Sequence, residues 1–118
     1  MKVIIAGTRD FSDYDLLTQV CDHMLSNSKS VEIVSGGARG ADMLGERYAR
    51  ERGYQCKIFP ADWEKYGKAA GFKRNSEMAN YAECLIAFWD GTSRGTQHMI
   101  NMAKKKNLQV KIVEYGSK

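Results

Sequence analysis

Five short β-forming runs, four of them followed by a turn and a segment with apolar residues at helical spacing, restrict this chain to very few architectures. Residues 3–6 form a continuous apolar run that stops at Gly7, the pattern of a strand buried on both faces. Ser12 or Asp13 is placed to cap a helix carrying Leu16, Leu17, Val20, Met24 and Leu25, which fades over residues 26–30. A second strand is predicted at residues 31–34. From Gly40 or Ala41 a helix with Ala41, Leu44, Tyr48 and Ala49 on one face runs to a natural stop at Gly53. Gly45 shares that face, where it weakens the helix but permits close approach to a sheet. A third strand is predicted at residues 55–59 and ends at Pro60, the single proline, which opens a loop through Gly71. A helix over 72–82, a strand over 84–89, a helix over 95–106 and a strand over 109–113 complete the pattern.

Such alternation requires parallel strands joined by right-handed crossovers, with helices on both faces of the sheet. The expectation is a Rossmann-like, doubly wound α/β fold with a five-stranded parallel sheet in the order 3-2-1-4-5. With 118 residues, the chain is expected to form one domain, because two independent cores would each be close to the size at which folding alone becomes difficult. Hydrophobic residues at 43% and charged residues at 27% are ordinary for a globular chain and argue against disorder.

Eighteen Lys and Arg against fourteen Asp and Glu leave a net charge of +4, which favours anionic partners without the basic stripe of a dedicated nucleic-acid binder. The run Lys104, Lys105, Lys106 falls near the end of a predicted helix, where cations complement the dipole. Cys21, Cys56 and Cys84 are odd in number and lack a CxxC pairing, so a reduced, cytoplasmic setting is expected. Cys56 and Cys84 fall in predicted strands, where a buried thiol acts as a small hydrophobe. The apolar run at residues 3–6 is too short for a signal peptide or a membrane span, so no membrane association is expected. No His, Cys, Asp or Glu cluster stands at ligand spacing, and neither a metal nor a cofactor is predicted.

The predicted sheet order brings the loops after strands one, two and four together at the edge where open α/β sheets take their ligands. They read Gly7-Thr8-Arg9-Asp10-Phe11, then Ser35-Gly36-Gly37-Ala38-Arg39-Gly40-Ala41-Asp42, then Asp90-Gly91-Thr92-Ser93-Arg94-Gly95-Thr96. Each sets glycine, a hydroxyl and an arginine at a turn from strand to helix. Glycine lets the backbone approach a phosphate, helix-initial N–H groups donate to it, and arginine adds paired donors. Turn chemistry alone accounts for Gly, Ser and Thr. It does not ask for Arg9, Arg39 and Arg94 together. Neither GxxxxGK[ST] nor GxGxxG with a downstream acid occurs, which turns the reading away from ATP hydrolysis and dinucleotide redox chemistry.

The segment 60–75 adds Trp63, Tyr66, Lys68, Lys73 and Arg74 beside the third strand. Its aromatics suit either stacking on a base or filling a satellite core under a long loop. His98, one turn into the helix of residues 95–106, suits either acid–base work or a helix surface.

Three segments carry a family resemblance. SGGARGAD at residues 35–42 resembles the SGxARGID turn of the Smf/DNA-processing protein A domain, and Gly95-Thr96 resembles the GT of the PGGxGTxxE signature of Lonely Guy nucleotide hydrolases. Arg74-Asn75-Ser76-Glu77-Met78 is similar to the RKxxM segment of those enzymes, with Asn75 in place of lysine. With GTRDF, ADWxxYGKAAGFKRN and SRGTxHMI, the whole resembles the small stand-alone group of the SLOG superfamily named after YspA. That resemblance implies a Rossmann-like fold, a nucleotide site, Arg74 as a functional arginine, and relatives acting as nucleotide sensors or nucleotide-processing proteins, some carried by phages. The glutamate of the Lonely Guy signature falls at Met99, which cannot carry a proton, and Trp89-Asp90-Gly91 replaces the PGG.

The leading expectation is therefore binding of a nucleotide or ribose-phosphate derivative, such as an ADP-ribose-like or cyclic nucleotide signal, for sensing or sequestration. Gly7, Gly36, Gly37, Ala38, Gly40, Gly91, Gly95 and Thr96 supply backbone, and Arg9, Arg39, Lys73, Arg74 and Arg94 supply charge. Thr8, Asp10, Ser35, Asp42, Asn75 and Asp90 are expected at ribose hydroxyls or beside the arginines. The alternative is nucleotide hydrolysis with Glu77, Asp90 or His98 activating water, and a weaker one is single-stranded DNA binding. A two-fold homo-oligomer is expected through the first helix or the apolar helix of residues 95–106.

Overall fold

The computed structural model describes residues 1–116. In chain order the elements are β1 (Lys2–Gly7), α1 (Tyr14–Leu25), β2 (Glu32–Ser35), α2 (Ala41–Arg52), β3 (Gln55–Ile58), α3 (Trp63–Tyr66), a 3₁₀ turn (Gly67–Ala69), α4 (Ala70–Tyr81), β4 (Cys84–Trp89), α5 (Arg94–Lys105) and β5 (Gln109–Glu114). All strand pairs are parallel, and the sheet runs β3-β2-β1-β4-β5, the order read from the sequence.

Alternation along the central strands divides the core in two. Val3 and Ile5 of β1, with Cys84, Ile86 and Phe88 of β4, face α1 and α2, where Leu17, Cys21, Tyr48 and Ala49 close the layer. Ile4, Ala6, Leu85 and Ala87 point the other way, onto Met78 and Ala79 of α4 and Met99, Ile100 and Ala103 of α5. The apolar face of α5 is thus spent on the sheet rather than left for self-association, whereas Met24 of α1 stays 37% exposed. Gly45 does bring α2 hard against β1, since a Cβ there would stand 2.8 Å from the Ile5 side chain.

Two expectations need correction. Cys56 is exposed, not buried, because β3 is an edge strand with all four of its residues exposed. The segment after Pro60 is no plain loop either. Asp62 caps α3 by accepting the Lys65 N–H at 3.1 Å, and α4 begins at Ala70, ahead of the predicted Phe72. No helix among the described residues is long and apolar enough to cross a membrane.

Candidate functional site

The carboxyl ends of β1, β2 and β4 meet around Thr8. Its N–H donates to the Phe88 carbonyl at 2.9 Å, and its own carbonyl accepts from Phe11 at 3.2 Å and Ala41 at 3.4 Å. Its hydroxyl oxygen accepts the Asp90 N–H at 3.1 Å. The three turns are thereby tied to one buried residue, and Thr8 serves as framework for the site.

After β2 the chain must turn sharply into α2. Ser35 is fully buried, donates to the Glu46 carboxylate at 2.7 Å and accepts the Gly37 N–H at 3.1 Å. Asp42, 5% exposed, accepts the Ala38 N–H at 3.2 Å. Burial pushes its carboxyl up to about 6, against the pull of the N–H donors and of Arg74. Gly40 completes the turn with φ of 78°. Arg74 reaches across from α4, donating through Nη1 to the Gly36 carbonyl and through Nε to Asn75 Oδ1 at 3.1 Å. Burial and the neighbouring Arg9 charge push the Arg74 guanidinium down, while Asp42 supports it. Among the described residues no carboxylate lies within 4.0 Å of the Arg9, Arg39 or Arg74 guanidinium.

The turn after β4 is built differently. Asp90 accepts the Thr92 and Ser93 N–H groups, both at 2.8 Å, and these bonds hold its carboxyl below the usual carboxylate range. Ser93 caps α5 by accepting the Thr96 N–H at 3.4 Å. Asn75, 5% exposed, clips α4 to this turn: Nδ2 reaches the Gly95 carbonyl at 3.3 Å and His98 Nδ1 at 3.2 Å. Because Arg74 occupies the Asn75 carbonyl, the amide donates to His98, whose Nδ1 accepts. Burial pushes His98 below its ordinary value, and its ring stacks on Phe72 with centroids 4.2 Å apart.

These elements enclose two adjoining cavities. One, of about 200 Å³, is floored by Ala6, Gly7, Met78 and Met99 and reaches Asp42, Arg74, Asn75, Gly95 and Thr96. The other, of about 430 Å³, lies over the Gly36, Gly37, Ala38 and Arg39 turn. Arg9 borders both. Several residues singled out from the sequence stand apart from these cavities. Arg94 is exposed and lines neither, and Gly91 lies on the exposed outer side of its turn. Asp10 accepts from the Tyr115 hydroxyl at 2.9 Å, while Lys73 and Glu77 line a third cavity beside Tyr66, on the far side of Pro60 and Arg74 from the other two. His98 sits behind Phe72, and Asp90 is taken up by its own turn. Phe72 and Ile58 are walls to which the sequence analysis gave no part, and Ser93 and Trp63 join them. Trp63 is 53% exposed with its ring end 3.6 Å from where a Cβ on Gly71 would lie, so it borders the site and fills no satellite core.

Comparison with known proteins fits this geometry. The model of the family described as YAcAr: YspA, cpYpsA-related SLOG family matches residues 1–66. The Gene 61 protein of Mycobacterium phage D29 is 35% identical over 124 aligned residues, which cover 99% of this chain and 98% of that protein. Among solved structures, the X-ray structure of DNA processing protein A (DprA) from Streptococcus pneumoniae superimposes with a TM-score of 0.77 at 20% identity. That match covers 98% of this chain and 50% of the other, so this chain spans half the length of that protein and shares its fold over that half. By the family model and by its relative over nearly its whole length, the chain belongs to the YspA, cpYpsA-related SLOG family.

Proposed function

We propose that this protein binds a nucleotide or ribose-phosphate derivative at the carboxyl edge of its sheet and acts by sensing or sequestering it. One observation carries the reading. Arg9 and Arg74 line the same two cavities, and although the Asp42 charge supports the Arg74 guanidinium, no carboxylate lies within 4.0 Å of either arginine among the described residues. Two guanidiniums lining the same cavities, one half-buried, would be stabilised by a bound anion that accepts from both, and phosphate oxygens match their fork geometry.

The first turns of α2 and α5 reinforce that preference, since helix-initial N–H groups and the helix dipole both favour negative charge. Met99 is 1% exposed and lies at the cavity floor where the hydrolase signature has its glutamate, which supports binding over turnover.

Calorimetric titration with ADP tests the reading. Arg74→Ala removes charge-assisted hydrogen bonds of roughly 1.5–3 kcal/mol, so affinity should fall about tenfold or more while the chain stays folded. Unchanged affinity in a folded Arg74→Ala protein would overturn it. Tight, steeply salt-dependent binding of a single-stranded oligonucleotide, with none of ADP, would shift the function to nucleic acid.

A further inference from the structure

Asn75 is 5% exposed, and its side-chain amide meets three groups at once. Its Oδ1 accepts the Arg74 Nε–H at 3.1 Å, while its Nδ2 lies 3.3 Å from the Gly95 carbonyl and 3.2 Å from His98 Nδ1. Two of these partners fix which way the amide faces. Arg74 Nε only donates and the Gly95 carbonyl only accepts, so Oδ1 must meet the first and Nδ2 the second. The third partner is then left one role: His98 Nδ1 accepts, and the ring carries its proton on Nε2.

A proton on Nδ1 would set two donors against each other at 3.2 Å. The imidazole plane is held by its stack on Phe72, at an interplanar angle of 22°, so the amide is the partner that yields. Turned over, it offers Nδ2 to Arg74 Nε and Oδ1 to the Gly95 carbonyl, donor on donor and acceptor on acceptor.

We propose that His98 is a positioning residue for Arg74: its unprotonated Nδ1 locks the Asn75 amide, and through it the guanidinium that lines both cavities, whereas a proton at Nδ1 unlocks them. The linkage runs from His98 on α5 through Asn75 and Arg74 on α4 to the Gly36 carbonyl, so one ring governs contact with the turn before α2. The charged groups that share this corner are Arg94, one turn earlier on α5, Arg74 on α4, and Lys68, which lines the smaller cavity with Phe72. Lys73 and Glu77 of α4 line the third cavity instead. Burial alone takes the ring below its ordinary 6.5, so the lock is closed at neutral pH and opens on acidification.

Nuclear magnetic resonance on the intact protein without ligand tests the relay. As His98 titrates, the protection of Arg74 Nε–H against solvent exchange, taken relative to free arginine at the same pH, should fall about fivefold or more, the worth of one hydrogen bond. Its midpoint should be that of the His98 ring. In His98→Asn, whose carbonyl accepts without titrating, protection should stay constant. Protection that holds in the wild-type protein through the His98 titration would overturn the proposal, whether or not the variant folds.

The consequence for binding rests on the nucleotide reading above. The ADP dissociation constant of the wild-type protein, divided by that of His98→Asn, should rise about fivefold from about pH 8 to about pH 5. The buried Asp42 acid is present in both proteins and cancels from that ratio. A flat ratio would overturn the control of the site by the relay. Failure of ADP to bind either protein would overturn the nucleotide reading alone, since the exchange measurement decides the relay without a ligand.

Discussion

The glycine-rich turns before α2 and α5 look alike in sequence but differ in what demands their glycines. In the first, the molecule itself leaves no room. A Cβ on Gly36 would lie 2.7 Å from Arg74 Nη1 and 2.8 Å from Asp42 Oδ2, and one on Gly40 would lie 2.4 Å from the carbonyl oxygens of Thr8 and Arg9. In the second, Gly91 answers to a backbone angle, φ of 87°, while Gly95 has ordinary helical geometry and open space where its Cβ would be. One turn is packed from inside and the other is open from outside. The same residue type therefore reports structural need in one place and open space in the other.

The contrast is broken most directly at Gly40. Gly40→Ala adds left-handed strain to an overlap with backbone that has no flexible side chain to yield, and should cost about 3 kcal/mol or more. A chain of this size then loses roughly 10 °C or more of melting temperature, measurable by circular dichroism. A melting temperature within a degree or two of wild type would show that the packed turn is not packed.

Asp42 sharpens the same side of the comparison. Its folded value of about 6 lies above its ordinary 3.8, so the folded state holds the proton more tightly than the unfolded chain. The stability it contributes is fully present below about pH 4 and is lost as pH rises through 6, to the order of 2–3 kcal/mol. Asp42→Asn should flatten that part of the pH dependence of the urea midpoint. A phosphate nearby would favour the protonated acid further, so nucleotide affinity should rise on acidification through pH 6. Wild-type and Asp42→Asn proteins with parallel stability profiles would rule out the buried acid as the source.

The smallest effect belongs to the open turn. Gly95→Ala should leave stability unchanged or raise it by about 0.5 kcal/mol, since alanine is the better helix former near an exposed first turn. A melting temperature lowered by several degrees would mean that a methyl at Gly95 meets neighbours as one at Gly40 does, and the two turns would be the same device after all.

The strand order and the gathering of three turns were legible because both follow from periodicity and crossover handedness, which are local signals with a single global solution. What stayed hidden depends on direction. Arg94 occupies the same motif position as Arg9 and Arg39, yet a motif places a residue on a turn without fixing which way the side chain leaves it, and Arg94, unlike the other two, lines neither cavity. Thr8 and Asp90 looked like ligand groups, but the Thr8 hydroxyl oxygen and Asp90 Oδ1 accept the N–H groups that hold the turns. Ile58 and Phe72 carry no chemical signature at all, because an apolar residue on a site wall reads in sequence like one in a core. Cys56 was misplaced for a different reason: its burial was read from the composition of its run, although the expected order 3-2-1-4-5 already puts the third strand at an edge.

The fastening of all three turns to Thr8 has a consequence for how the site breathes. The amides of Phe11, Ala41 and Asp90 all donate to Thr8, and the amide of Thr8 donates to β4. None of those bonds can be released far without disturbing the others, so the four amides belong to one cooperative opening unit and should exchange with solvent deuterium at a common rate. A ligand held between these turns would slow all four together, which gives the empty and occupied site a signature that needs no knowledge of what occupies it.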